Sequence, residues 1–409
     1  MVNNKKNNSS KKTAKVASKN MNQETLIGLR RLATALKELD DTGKNEVTEE
    51  NIGISINHWR DLPPEVEHAY KMMNDGAEVI KATSTKYTLI GKIDVDDGSK
   101  FCTELRQGCE LISTSAFLIH QPSMGCARST RYFAKQNARA VVATVVALIE
   151  SFVSLRAIGG NTGAQLTGAV WSACDKIIEK IPKGNRTCMR RELFTWVSEC
   201  NETMQEFQDL LDSTSPEDQE DNTKAWDKFC SNPGTGETYT ALEHPIVAAC
   251  IAIIKCSRGV LGLAIKSLEC AGDEVMRLTV DLDAAAEKEK TRRRQILQWM
   301  SNLHEICRNI GEGATDLGYL LYPPLDLCVE GVEMLPSATK LGQQMLNQKR
   351  VLLSASYMIN DALPAKDGQV AMVMSEEVKE MCSKLLSAIE IRSNDAEQSI
   401  ASALQKTHD

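Results

Sequence analysis

Apolar residues recur at intervals of three and four along almost the whole chain, and that period constrains the fold more than any other feature of the sequence. Leu26, Leu29, Ala33, Leu36 and Leu39 begin the pattern; Ala138, Val141, Val142, Val145, Leu148, Ile149, Phe152 and Leu155 form its cleanest face. Strand-like alternation is confined to Ile52-Gly53-Ile54-Ser55-Ile56, which reads as a loop or a helix lead-in. Prolines and glycines punctuate the pattern at Pro63-Pro64, Pro122, Gly159-Gly160, Pro182 and Pro245. The sharpest break is Tyr322-Pro323-Pro324. Proline lacks the amide hydrogen and holds φ near the helical value, so Pro323 and Pro324 suit a first helical turn, while Tyr322 is pushed out of α geometry. The expectation is a rigid corner between two antiparallel helices, one ending at Leu320 and one running through Leu325, Cys328, Val332 and Leu335.

Composition agrees with an all-α chain. Aromatic content is 5% and there are 11 prolines in 409 residues, so the core must be built from aliphatic side chains. The 13 cysteines are odd in number, with no C-x-x-C, and several fall on apolar helix positions; they read as reduced core thiols. Residues 1–21 hold no apolar segment of a secretory signal, and no uncharged apolar run reaches the length of a membrane span. The expectation is an intracellular, soluble protein without a membrane partner.

Charge divides the chain. Six lysines, from Lys5 to Lys19, precede the first acid, Glu24, ahead of an acidic body in a chain of net charge −7. Residues 1–21 read as a disordered basic tail. Ser213-Thr214-Ser215-Pro216-Glu217-Asp218-Gln219-Glu220-Asp221-Asn222 has no apolar residue to bury. Two antiparallel helical bundles of four to six helices each, 22–212 and 238–409, joined by an acidic hinge at 213–237, are the economical architecture.

Catalytic and metal-binding chemistry is missing from the sequence. Asp94-x-Asp96-Asp97-Gly98 fails as a calcium loop, because its fifth position is Gly98 and its twelfth Leu105; it reads as a helix-flanking acidic turn. Gly159-Gly160-Asn161-Thr162-Gly163 lacks the lysine of a phosphate loop and reads as a helix end followed by a cap. The six histidines are dispersed, and His304-Glu305 has Arg308 where a zinc helix needs a second histidine, so His304 reads as solvated or capping. The sequence thus points to no enzyme, no cofactor, no metal and no small-molecule substrate.

Three features bear on partners. Val247, Ile254, Leu261 and Leu268 repeat every seven residues, continuing to Val275 and Leu282, and fit either an internal bundle core or a seam for a partner helix. Lys290, Arg292, Arg293 and Arg294 form a basic run ahead of an apolar helix, read as an exposed loop and candidate nuclear-import signal; the acidic body argues against direct nucleic-acid binding. Ser215, followed by Pro216, is the candidate phosphorylation site.

Four segments, in order, resemble the cyclin-D-binding protein family. They are Ala169 to Cys174 through Ile181-Pro182-Lys183, the acidic stretch after Asp209-Leu210-Leu211, Pro245 to Leu268, and Ile310 to Leu346 with its Leu321-Tyr322-Pro323-Pro324. The resemblance implies a helical regulator, nuclear and cytoplasmic, that binds a D-type cyclin or helix-loop-helix factors and restrains cell-cycle entry or transcription. A cytoskeletal adaptor resembling vinculin- or catenin-like bundles is the alternative, because fold alone does not separate the two.

Overall fold

The computed structural model describes residues 22–39, 59, 61–90, 95–153, 161–213, 238–278, 287–327, 335–362 and 374–406. The basic tail, the Ile52–Ile56 alternation, Gly159-Gly160, Ser215 and most of the acidic hinge lie outside them. Ten α-helices are present among the described residues: α1 (22–38), α2 (Pro64–Ile90), α3 (Val95–Ile119), α4 (Arg128–Val153), α5 (Asn161–Asp175), α6 (Asn185–Ser213), α7 (His244–Arg277), α8 (Glu287–Tyr319), α9 (Lys340–Asn360) and α10 (Glu376–Lys406). No strand occurs among these residues. Helix α3 begins at Val95, so the backbone of Val95–Gly98, read as a break, is already helical.

The first unit ends at Met189 and the second begins at Arg190, so the division runs through α6 instead of following residue 212. Composition marks where the chain stops carrying apolar groups, not where those groups pack. Leu193, Trp196, Cys200 and Phe207 are buried, and Trp196 and Phe207 meet rings of the second unit, His304 and Tyr322.

In the first unit α2 and α3 pack most closely. They run antiparallel and cross at glycine on both sides: a Cβ on Gly76 would stand 2.8 Å from the Gly108 carbonyl oxygen, and one on Gly108 would stand 2.6 Å from Ile80 Cγ1. Helix α5 returns antiparallel along α2, tied by Lys81 Nζ to Asp175 at 2.6 Å and by the Thr88 and Thr167 hydroxyls, also 2.6 Å apart. Asn185 joins the first turn of α6 to α4, its Oδ1 accepting from Ala127 N and Thr130 Oγ1. One apolar core, including Leu29, Met73, Ile80, Ile112, Val142 and Val170, runs through α1–α5.

The second unit is built round α7, which opens at Pro245 as its fixed φ allows and packs against α8, α9 and α10. Helix α7 is long and apolar enough to cross a membrane by composition, yet 17 of its residues are buried inside this unit, as in a core helix. Residue pairings fix the directions. Arg292–Glu274 sets α8 antiparallel to α7, Gln344–Gly313 and Trp299–Met358 set α9 antiparallel to α8, and Lys266–Glu377 sets α10 antiparallel to α7. Within the core, Gln348 Nε2 donates to Ser257 Oγ at 2.9 Å and to the Ile310 carbonyl at 3.0 Å, so this polar group is buried with its donors satisfied. Pro336 opens a single 3-10 turn, and Thr339 Oγ1 caps α9 by accepting from Gly342 N at 2.9 Å.

All 11 described cysteines are free, and ten are buried. Burial alone pushes the Cys250 thiol up to about 12, which keeps it a protonated, unreactive core group at neutral pH.

Candidate functional site

The corner singled out by Tyr322-Pro323-Pro324 exists, but it is not a helix start. Helix α8 ends at Tyr319, the chain bends through residues 320–324 with a cis Pro323-Pro324 peptide, and Leu325–Leu327 are non-helical. The reason lies in the segment just ahead of α7. The buried Glu243 carboxylate accepts from Leu325 N at 2.7 Å with one oxygen and from Thr240 N at 2.7 Å with the other. Tyr239 donates its hydroxyl to the Leu321 carbonyl at 2.6 Å. The backbone groups that would begin a new helix are therefore held by side chains from a segment 82 residues upstream.

On the outer side Tyr322 donates its hydroxyl to Glu206 Oε1 at 2.6 Å and sets its ring edge-on to Phe207, with centroids 5.1 Å apart. The bond to Glu206, with burial and the carboxylate charge behind it, raises the phenol pKa above its ordinary value. Tyr319 is 72% exposed and Tyr322 40%, so two aromatic rings stand at the surface where α8 ends. Helix α6 runs parallel to α8 here, with Thr203 against Gly318 and Trp196 against Gly311.

A second polar node lies deeper in the same unit. His304 is buried, its Nε2 3.3 Å from Glu192 Oε2 and its ring 5.7 Å from that of Trp196. This corrects the reading of His304 as solvated or capping: the apolar stripe of α8 turns the histidine inward, where Glu192 supplies its polar contact. Two side chains make a packed pair, and among the described residues no three metal-ligating groups converge anywhere.

Residues 72–213 match the family model described as Grap2 and cyclin-D-interacting, N-terminal. No curated protein matches the chain.

The structure separates the residues that the sequence nominated. Val247, Ile254, Leu261 and Leu268 are all buried in the second unit, so the seam is bundle core and not a surface open to a partner helix. The basic run is not an exposed loop either. Helix α8 begins at Glu287 and carries the run in its first turns; Lys290 and Arg294 are half-buried, Arg292 pairs with Glu274 at 2.6 Å, and Arg293 is buried.

Arg293 has one contact to Glu289 at 3.4 Å, while its Nε and Nη1 find no hydrogen-bond partner. A buried, half-paired guanidinium contributes little net stability, because desolvation offsets its ion pair. Replacing both partners, Arg293→Met with Glu289→Leu, is therefore expected to leave the stability of the full chain unchanged or to raise it by about 1–4 kcal/mol. Differential scanning calorimetry checks this; a loss above about 2 kcal/mol would mean the pair is worth more than its desolvation.

Sequence reasoning missed Tyr239, Glu243, Glu206 and Tyr319. One signal was present. Thr240-x-x-Glu243 just before an apolar run has the spacing of a capping box, in which the acid reaches back to an amide three residues earlier, as Glu243 does to Thr240 N. Glu243→Ala leaves the buried Leu325 amide without an acceptor, at an expected cost of about 2–3 kcal/mol measurable by urea denaturation. Glu243→Gln, which keeps one acceptor oxygen, should recover part of that loss.

Proposed function

We propose that the protein is a non-enzymatic protein-interaction module that binds a D-type cyclin, or a helix-loop-helix factor, and thereby restrains cell-cycle entry or transcription in nucleus and cytoplasm. The observation that carries this reading is the match of residues 72–213 to a family described by its interaction with cyclin D. The architecture supports it: two helical units with buried cores offer surfaces for recognition. The test uses the full chain immobilised and challenged separately with a purified D-type cyclin, a helix-loop-helix protein and actin filaments. Saturable binding of the cyclin or the helix-loop-helix protein, without filament binding, is expected. Capture of filaments alone would replace this reading with the adaptor one.

A further inference from the structure

We propose that the exposed aromatic end of α8, Tyr319 with Tyr322, and the adjoining outer face of α6 form a docking surface for an arginine-rich helical segment of a partner protein. The inference concerns the second unit alone and does not rest on the cyclin reading.

Two tyrosines at one corner, one of them 72% exposed, are more aromatic surface than a solvated helix end requires. The charge beside them says what fits. Glu199, Glu202, Glu206 and Asp209 follow at intervals of three, four and three, which places all four on one side of α6, and Asp212 extends the acidic face. All five are exposed. Between Arg191 and Lys224 the sequence has no basic residue. The contacts these carboxylates make are to neutral donors: Ser198 to Glu202, Gln205 to Asp209, Gln208 to Asp212 and Tyr322 to Glu206. Among the described residues none of the five has an ion-pair partner, although elsewhere in the unit Glu274, Glu377 and Glu397 all do. Arg258, on α7, bonds the Asn201 side chain. The Glu199 carboxyl is held above its ordinary pKa, by partial burial first and by the neighbouring Glu202 charge second.

A row of unpaired carboxylates at helical spacing complements a partner helix with basic groups at the same spacing. The tyrosine rings then select guanidinium over ammonium, since the planar group stacks on an aromatic face while its edge still donates to carboxylate. Tyr322 is already oriented by Glu206 on one side and Phe207 on the other, so one ring of the platform is fixed before a partner arrives.

The experiment titrates the full chain with a synthetic alanine-based helix bearing arginine at every third or fourth position, followed by fluorescence anisotropy at low and physiological salt. Saturable binding is expected for the wild type. The combined variant Glu199→Gln, Glu202→Gln, Glu206→Gln and Asp209→Asn should weaken it roughly tenfold or more. Glutamine at 206 retains an acceptor for Tyr322, and circular dichroism confirms that the fold survives. Tyr319→Ala should weaken binding about threefold while Tyr319→Phe leaves it unchanged, and a lysine version of the peptide should bind less tightly. No saturable binding at low salt overturns the proposal, and so does binding indifferent to the four amides. A silent Tyr319→Ala overturns it as well, because carboxylates without the ring are ordinary counter-ion attraction.

Discussion

Aspartate at Leu261 is expected to unfold the second unit. Leu261 is buried on α7, the helix against which α8, α9 and α10 all pack. Removing a buried leucine side chain costs about 2–5 kcal/mol, and an ionised carboxylate in its place adds an uncompensated desolvation of several kcal/mol more. The total, about 5 kcal/mol or greater, is comparable with the whole stability of a typical domain. Far-ultraviolet circular dichroism should show a loss of helix signal at ambient temperature, and calorimetry the disappearance of one transition. Leu261→Met, which keeps volume and polarity, should cost less than about 1.5 kcal/mol. A folded Leu261→Asp chain with a normal melt would contradict the placement of the heptad series in the interior.

Valine at both Gly76 and Gly108 should have the next largest effect, this time in the first unit. Each Cβ would enter space held by the facing helix, including the Gly108 carbonyl oxygen at 2.8 Å from the first and the Gly76 carbonyl oxygen at 3.1 Å from the second. Backbone cannot turn aside as a side chain does, so α2 and α3 would have to separate and give up dispersion contacts along their whole crossing. Overpacking costs about 1–3 kcal/mol at one site, and the pair is expected to lose about 4 kcal/mol with non-additive coupling between the two positions. Urea denaturation of the two single variants and the double variant measures both numbers. Alanine at Gly168, where a Cβ meets nothing within 4 Å, is the control and should be neutral or slightly stabilising.

Helices were legible in the sequence because their signal is local: the three-and-four period of Ala138 to Phe152 is the buried face of α4, and Pro245 is at the start of α7. Packing was not legible to the same degree. A seven-residue repeat from Val247 to Leu268 looks the same whether the facing helix belongs to this chain or to another, and only the fold shows that α8, α9 and α10 occupy it. The corner at Tyr322 was located correctly and given the wrong continuation, because proline's preference for a first helical turn is outweighed by Glu243 and Tyr239 holding the neighbouring backbone groups. The inward turn of His304 and the depth of Arg293 depend on which side of α8 faces the core, and a basic run beside an apolar stripe conceals that when composition is read alone.

Helix α6 sets apart two kinds of unit that are easily equated. The family match closes at residue 213, the last residue of α6, whereas compactness divides the chain between Met189 and Arg190. A fragment cut at the homology limit would thus end in more than six turns of helix whose Trp196, Cys200 and Phe207 are severed from α8, an apolar ridge in water. Such a fragment would self-associate for reasons unrelated to any physiological oligomer. The family match runs past the edge of the first compact unit, and binding results from truncations ending at residue 213 would report that sticky ridge before they reported a partner.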